Sequence, residues 1–319
     1  MLKEVLNTNK WGKFLIKLFV SLAILLVLVY ATDLETLKNS FYSISFDAVI
    51  YAFCLILLIR FIMALRWKVL LSFYQINASL IKLFEIIFVS NAVGHLLPSG
   101  IGTDIIRVYE LSKDKGNSEK VLASVFLDRV FGLVSMILVA LFAAWYAHFS
   151  TRMDLTIPLL ISLATLLLPV VFFVIRFALL RNVELNTNSN HKLLNKLVKF
   201  YNRFISALHQ TDIPTYGFLV LILLSVLVQL VRCLVFVFIF IGLGSELAVV
   251  HYFVFIPIVF ILMLIPISIG GLGVRESALY AFFAPFGLSV ATCTVAGLIF
   301  HALQLVMIIP GLIIFNMRK

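Results

Sequence analysis

Two short stretches of the chain combine the residue types that bind anions, at matching spacing. The first reads Pro98-Ser99-Gly100-Ile101-Gly102-Thr103-Asp104-Ile105-Ile106-Arg107. The second reads Pro266-Ile267-Ser268-Ile269-Gly270-Gly271-Leu272-Gly273-Val274-Arg275. In each, a glycine follows the proline by four residues and an arginine follows it by nine. Proline and glycine interrupt a helix and leave backbone N–H groups without partners in it. A helix that restarts after such a break points its first N–H groups outward, where an anion is stabilised. Arg107 and Arg275 would add a planar, permanently charged fork that matches phosphate. One such motif reads most simply as a kink whose arginine snorkels to water. Two with the same spacing favour a pair of ligand-facing turns.

Other charged residues stand near these motifs. Asp128–Arg129 opens the helix after the first turn, and Arg275–Glu276 leads the limb after the second. An ionised side chain in an apolar setting needs a partner, so a structural ion pair and a ligand-path role are both open for them. Arg66 lies 32 residues before Pro98, and Arg232 lies 34 before Pro266. Arg66 reads as a marker of the membrane interface, whereas Arg60 and Arg232 lie nearer apolar centres. Glu85, His95, Gln229, His301 and Gln304 are weaker candidates, since a lone intramembrane His or Gln most often bonds a neighbouring helix. The familiar catalytic patterns are missing: there is no Walker A loop, HExxH or GxSxG. The glycines at 270, 271 and 273 lack dinucleotide-binding spacing, and Cys54, Cys233 and Cys293 stand singly with no CxxC. The residues call for no cofactor and no metal. Asp104, Asp128 and Glu276 are the acids available to a hidden transferase, and their spacing makes no carboxylate pair.

The elements that position these residues must be membrane helices. Of 319 residues, 63% are hydrophobic and 13% charged, with a mean hydropathy of +1.13. A soluble domain is nearer half apolar and a quarter charged, which excludes a water-soluble globule. The net charge of +10 would raise nucleic acid as a partner in a soluble chain, but here the basic residues gather in short loops, so no nucleic-acid partner is expected. Apolar stretches run over 14–31, 47–65, 80–97, 121–147, 156–180, 214–243, 250–269 and 277–315, the last with a turn near Pro285–Gly287. The first is too long for a signal-peptide core and reads as an uncleaved leading helix.

Loop charges then set the topology. Lys3, Lys10, Lys13 and Lys17 place the N-terminus in the cytoplasm, and Asp33, Glu35 and Asp47 place the next loop outside. If 80–97 crossed fully, the most basic stretch, with Arg176, Arg181, Lys192, Lys196, Lys199 and Arg203, would lie outside, against the positive-inside rule. If it enters and turns back at 98–102, that stretch is cytoplasmic. The same parity makes 250–287 a second hairpin entered from the opposite side, and puts Arg318–Lys319 inside. The expected fold is therefore an all-α polytopic membrane protein: an inverted repeat with two re-entrant helical hairpins and about six full spans. Residues 1–319 form one membrane domain, with a first repeat over 47–180 and a second over 214–315. Between them, 190–210 is expected as a basic amphipathic linker helix. Across 191–208 its apolar positions recur at helical spacing, and its lysines suit anionic inner-leaflet lipids. A calmodulin-type target helix is the competing reading, disfavoured by the adjoining spans.

The elements LLPSGIGTDIIRVYELS (96–112), VFLDRVFGL (125–133) and PISIGGLGVRESALY (266–280) resemble the lysylphosphatidylglycerol synthase transmembrane region. This flippase-like family includes the membrane half of the bacterial multiple peptide resistance factor. The resemblance covers roughly 47–315, and its matching positions are Pro98, Gly100, Gly102, Asp104, Arg107, Asp128, Arg129, Pro266, Gly270, Gly271, Gly273, Arg275 and Glu276. It implies a prokaryotic cytoplasmic-membrane protein that moves or handles a phospholipid or a polyprenyl-phosphate-type carrier. The synthase members also carry a soluble C-terminal aminoacyl-transferase domain, which this sequence lacks after its last helix, so lysyl transfer is not expected of it. A flippase- or scramblase-type transporter is the first expectation. Second comes an accessory subunit that presents a lipid carrier to a separate transferase partner, and last a lipid-modifying enzyme. Homo-oligomerisation is open.

Overall fold

The computed structural model describes residues 34–96, 102–115, 117–163, 192–209, 213–265 and 270–317, with single positions between 19 and 32 and at 165 and 268. The described residues form α1 (Leu34–Tyr42), α2 (Phe46–Phe73), α3 (Leu80–Leu96), α4 (Gly102–Lys115), α5 (Ser118–Thr151), α6 (Lys192–His209), α7 (Thr215–Gly242), α8 (Val249–Leu262), α9 (Val274–Phe283), α10 (Val290–Val306) and α11 (Ile308–Met317). A single 3₁₀ turn, Ala284–Phe286, follows α9. No strand occurs among them.

Length sorts these helices. A helix rises 1.5 Å per residue, so roughly 20 residues cross the hydrocarbon layer. Four helical segments are long and apolar enough to do so: Phe46–Phe73, Ser118–Thr151, Thr215–Gly242 and Val290–Met317. The protein is thus an all-helical, multi-pass membrane protein. By contrast α3 has 17 residues and α8 only 14, with Pro257 inside it. Two further expected spans are described only in part. The described positions between 19 and 30 in the leading segment are helical, as are 156–163 of the segment that begins at 156. Arg176, Arg181 and the turn residues Pro98, Gly100 and Pro266 lie outside the described residues.

Among the described residues the order long helix, short helix, short helix, long helix occurs twice, as α2–α5 and as α7–α10, the last continued by α11. α2 and α7 pack along each other more extensively than any other pair. α3 packs on α11, while α8 packs on α5, so each short helix rests on the last long segment of the other half. Close approach is permitted by small residues. A Cβ on Gly311 would lie 2.4 Å from the Phe88 carbonyl oxygen, and one on Gly242 would lie 2.5 Å from the Ala48 Cβ. The main core lies where α7, α8, α9 and α10 meet, and much of it is aromatic. Phe236 stacks near Phe300 with ring centroids 4.8 Å apart, and Phe240 touches Tyr252 and Phe283 at 5.2 and 5.4 Å. Such ring pairs add stabilisation of about 0.5–1.5 kcal/mol each beyond the area they bury.

The helix over 192–209 is present. Near its C-terminal end Phe204, Ala207 and Leu208 pack against a cluster that includes Leu111 and Val121, and Phe204 meets Phe126 edge-on. Arg203, on the exposed side, donates to Glu119 at 3.4 Å. Part of the apolar stripe is therefore spent on the bundle itself.

Candidate functional site: an arginine-lined cavity

A cavity of about 420 Å³ lies at the centre of the bundle, lined by α2, α3, α4, α5, α7, α8, α9 and α10 and by the turn before α9. Its walls carry six arginines (Arg60, Arg66, Arg107, Arg129, Arg232 and Arg275) against two aspartates, Asp104 and Asp128. That is a formal excess of four positive charges inside an otherwise apolar bundle. Such an excess is costly in low dielectric unless each cation finds partners.

On the first-half side the partners are carboxylates. Asp128 sits on α5 with its side chain 2% exposed; its Oδ1 accepts from Arg66 Nε at 2.7 Å and its Oδ2 from Arg107 Nη1 at 3.0 Å. Arg66 Nη1 also donates to Ser225 Oγ of α7 at 3.0 Å. The Arg107 guanidinium lies 4.2 Å over the Trp67 ring, and its Nε and Nη2 are buried without hydrogen-bond partners. The next residue on α5, rotated by about 100°, faces another way. Arg129 forks onto Asp104, with Nε and Nη2 at 2.9 and 3.1 Å, and reaches Thr103 Oγ1 at 3.3 Å. Arg129 is half exposed, so this pair meets water.

On the second-half side the partners are neutral. Arg60 donates to the Gln304 carboxamide oxygen of α10. Arg232 Nη1 donates to Gln229 Oε1 at 2.8 Å, and Gln229 Nε2 in turn donates to Ser135 Oγ and the Gly132 carbonyl at 3.3 Å. Arg275 donates to the carbonyls of Gly270 and Gly297 at 2.9 and 3.4 Å, leaving its buried Nε without a partner. Phe260 and Phe300 form a floor: Arg232 lies 4.5 Å from the Phe260 centroid, and Arg275 lies 5.0 Å from that of Phe300.

The turn before α9 explains its glycines. Gly270, Gly271 and Gly273 have φ of +60°, +79° and +80°, a region that costs side-chain-bearing residues 1–2 kcal/mol or more. At Gly273 a Cβ would also stand 2.8 Å from the Ile24 Cβ and 3.1 Å from the Ser21 carbonyl oxygen. The Gly273 N–H is not free to meet a ligand. It donates to Glu276 Oε2 at 2.6 Å, within the first turn of its own helix. The other Glu276 oxygen is buried without a partner, and Gly297 gives it room, since a Cβ there would come within 2.6 Å. Asp104 likewise occupies the first turn of α4. Both short helices therefore begin with an acid of their own, and guanidiniums supply the positive charge that faces the cavity.

Of the candidates named from sequence, Arg60, Asp104, Arg107, Asp128, Arg129, Arg232, Gly270 and Arg275 line this cavity, as do Gln229, His301 and Gln304. Gly102, Gly271, Gly273 and Glu276 do not. Arg66 also lines the cavity, 4% exposed and bonded to Asp128. Sequence reasoning passed over Phe260, Phe300 and Ser225, which carried no charge or motif to mark them, and gave no role to Thr103 within its motif. Among the described residues no three His, Cys, Asp or Glu side chains are grouped to hold a metal ion.

The family model described as the lysylphosphatidylglycerol synthase TM region matches residues 14–311. No curated protein matches the chain. The chain belongs to the family of that membrane region.

Proposed function

We propose that this member of the lysylphosphatidylglycerol synthase TM-region family is a lipid transporter of flippase or scramblase type. It moves a phospholipid or lipid-phosphate carrier across the cytoplasmic membrane, with both termini on the cytoplasmic side. The observation that carries this reading is the central cavity, whose six arginines outnumber its acids inside an apolar bundle. Arg107 and Arg275 line it and keep buried donors that no described protein group answers, so both guanidiniums are open to a further acceptor such as a phosphate drawn in beside them. Charge-assisted bonds to a phosphate are the strong kind, and guanidinium forks suit its geometry.

The transport reading also draws on the pairing of helices. In an inverted repeat, a contact between one element and the counterpart of another recurs with the roles exchanged, as in any two-fold arrangement. α2 against α7 and the exchange α3–α11 for α8–α5 follow that rule. So do two apolar grooves of about 470 and 460 Å³, one between α2, α3 and α10–α11, the other between α7, α8 and α5. Two short helices entering from opposite faces, each turning back at its Gly/Pro break, would let the halves rock about the cavity. The grooves would pass acyl chains while the headgroup occupies the centre.

The test is translocation of fluorescent phospholipid and of a polyprenyl phosphate by purified protein in liposomes. Wild type is expected to accelerate movement over protein-free liposomes, and Arg107→Ala and Arg275→Ala to lose most of that gain. Equal rates from folded variants would remove these arginines from the mechanism. No acceleration by wild type would refute transport.

A further inference from the structure

The six cavity arginines are not equivalent, and the difference specifies the charge of the headgroup. Resting on the lipid reading above, we propose that Arg60 and Arg232 select a headgroup bearing two or more negative charges, a phosphomonoester or diphosphate, over a phosphodiester. Arg66 and Arg107 share Asp128, and Arg129 is forked onto Asp104. Arg275 has Glu276 beside it in the chain. Arg60 and Arg232 alone in this set bond only carboxamide oxygens, and among the described residues no carboxylate lies within 4.0 Å of either.

A carboxamide orients a guanidinium without neutralising it, so the counter-charge for these two must come from whatever enters the cavity. The seat is also held in place beforehand. Arg232 rests on Phe260, the Phe260 and Phe300 rings meet edge-on at 5.8 Å, and Arg275 rests on Phe300. Gln304, which holds Arg60, lies one turn beyond Phe300 on α10. Binding therefore orders little that is not already ordered, and the aromatic floor keeps the local dielectric low. Two cations without protein counter-charge match a phosphomonoester, which carries about 1.5–2 negative charges at pH 7. A phosphodiester brings one negative charge, and a zwitterionic headgroup brings no net charge.

The experiment uses the full chain in phosphatidylcholine nanodiscs. Hexadecyl phosphate, a monoester, is titrated against dihexadecyl phosphate, a diester with the same chains, with bound lipid read by native mass spectrometry. The monoester is expected to bind at least about tenfold more tightly, equivalent to about 1.4 kcal/mol. Arg60→Gln and Arg232→Gln should each cut monoester affinity more than diester affinity, driving the ratio toward one, while Arg60→Lys restores it. Unfolding midpoints of the variants show that they remain folded. Equal wild-type affinity for the two probes, or a ratio that the Gln variants leave unchanged, overturns the dianion seat and leaves the lipid reading standing. Retention of neither probe overturns both. Displacement of the monoester by inorganic phosphate at equal concentration keeps the seat and removes the lipid.

Discussion

Asp128→Asn puts the first-half side of the cavity to its sharpest test. The carboxylate accepts from Arg66 and Arg107 at 2.7 and 3.0 Å through separate oxygens, and all three side chains are at most 5% exposed. An asparagine of the same shape keeps one acceptor, but turns an N–H₂ donor toward one guanidinium and removes the only charge that faces both. Breaking a buried pair by taking away one partner costs about 3–5 kcal/mol, because a buried charge is left uncompensated. At roughly 2 °C per kcal/mol for a chain of this size, the unfolding midpoint in detergent should fall by about 6–10 °C. Asp104→Asn is the matched control. Arg129 is half exposed, so water replaces much of what that carboxylate supplied and the loss should stay near or below about 1 kcal/mol. Adding Arg107→Leu to Asp128→Asn should recover part of the loss, and the double-mutant cycle gives the coupling directly. If Asp128→Asn shifts the midpoint no more than Asp104→Asn does, the buried triad does not hold this part of the bundle and the charge argument fails with it.

Three further outcomes follow from single positions. Gly297→Ala drives a methyl to within 2.6 Å of the Glu276 carboxylate, which has no room to retreat; a loss of about 1–3 kcal/mol is expected, read as a lower unfolding midpoint. Gly311→Ala places its Cβ 2.4 Å from the Phe88 carbonyl oxygen, a backbone atom, and should separate α11 from α3 at similar cost. A larger effect of Gly132→Ala, where a Cβ would meet nothing closer than 3.8 Å, would contradict the packing account. In a background with Cys54, Cys233 and Cys293 replaced, Lys115→Cys and Lys192→Cys should react with an impermeant maleimide from the same side of the membrane. Labelling from opposite sides would refute the paired-hairpin topology.

The long apolar runs were legible because a bilayer imposes length and composition together, and a stretch such as 214–243 admits little besides a spanning helix. The structure places helix over 215–242 and 46–73, while the helices described at 80–96 and 249–262 are shorter, at 17 and 14 residues. The amphipathic pattern at 191–208 was equally plain, since apolar residues three and four apart can only share a face in a helix. Less legible was what that face meets. Phe204 and Leu208 pack on protein, and the periodicity of a face does not tell protein from lipid.

The site was legible only where charge marked it. Arginine and aspartate in apolar sequence announce themselves, but their partners do not. Arg66 was read as an anchor because it ends an apolar run beside Lys68. Its actual partners, Asp128 and Ser225, are 62 and 159 residues away. Arg60 meets Gln304 across 244 residues, and Gln229 meets Ser135 across 94. Most of the bonds that hold cavity arginines on the second-half side are neutral; the glutamines that make them read only as weak candidates, and phenylalanines carry no signal among thirty Phe and so many apolar neighbours. What spacing marked was a pair of matching Gly/Pro stretches; what packing added was an unequal division of charge across the cavity. The first-half arginines are largely answered by the protein's own carboxylates. Those across the cavity are held in place by groups that cannot neutralise them. An element built only for stability would gain from the opposite choice, since a carboxylate in place of Gln304 would offset a buried cation at no change in shape. Keeping a carboxamide there costs stability and leaves positive charge facing the cavity, which is the arrangement expected where an anion has to enter and leave.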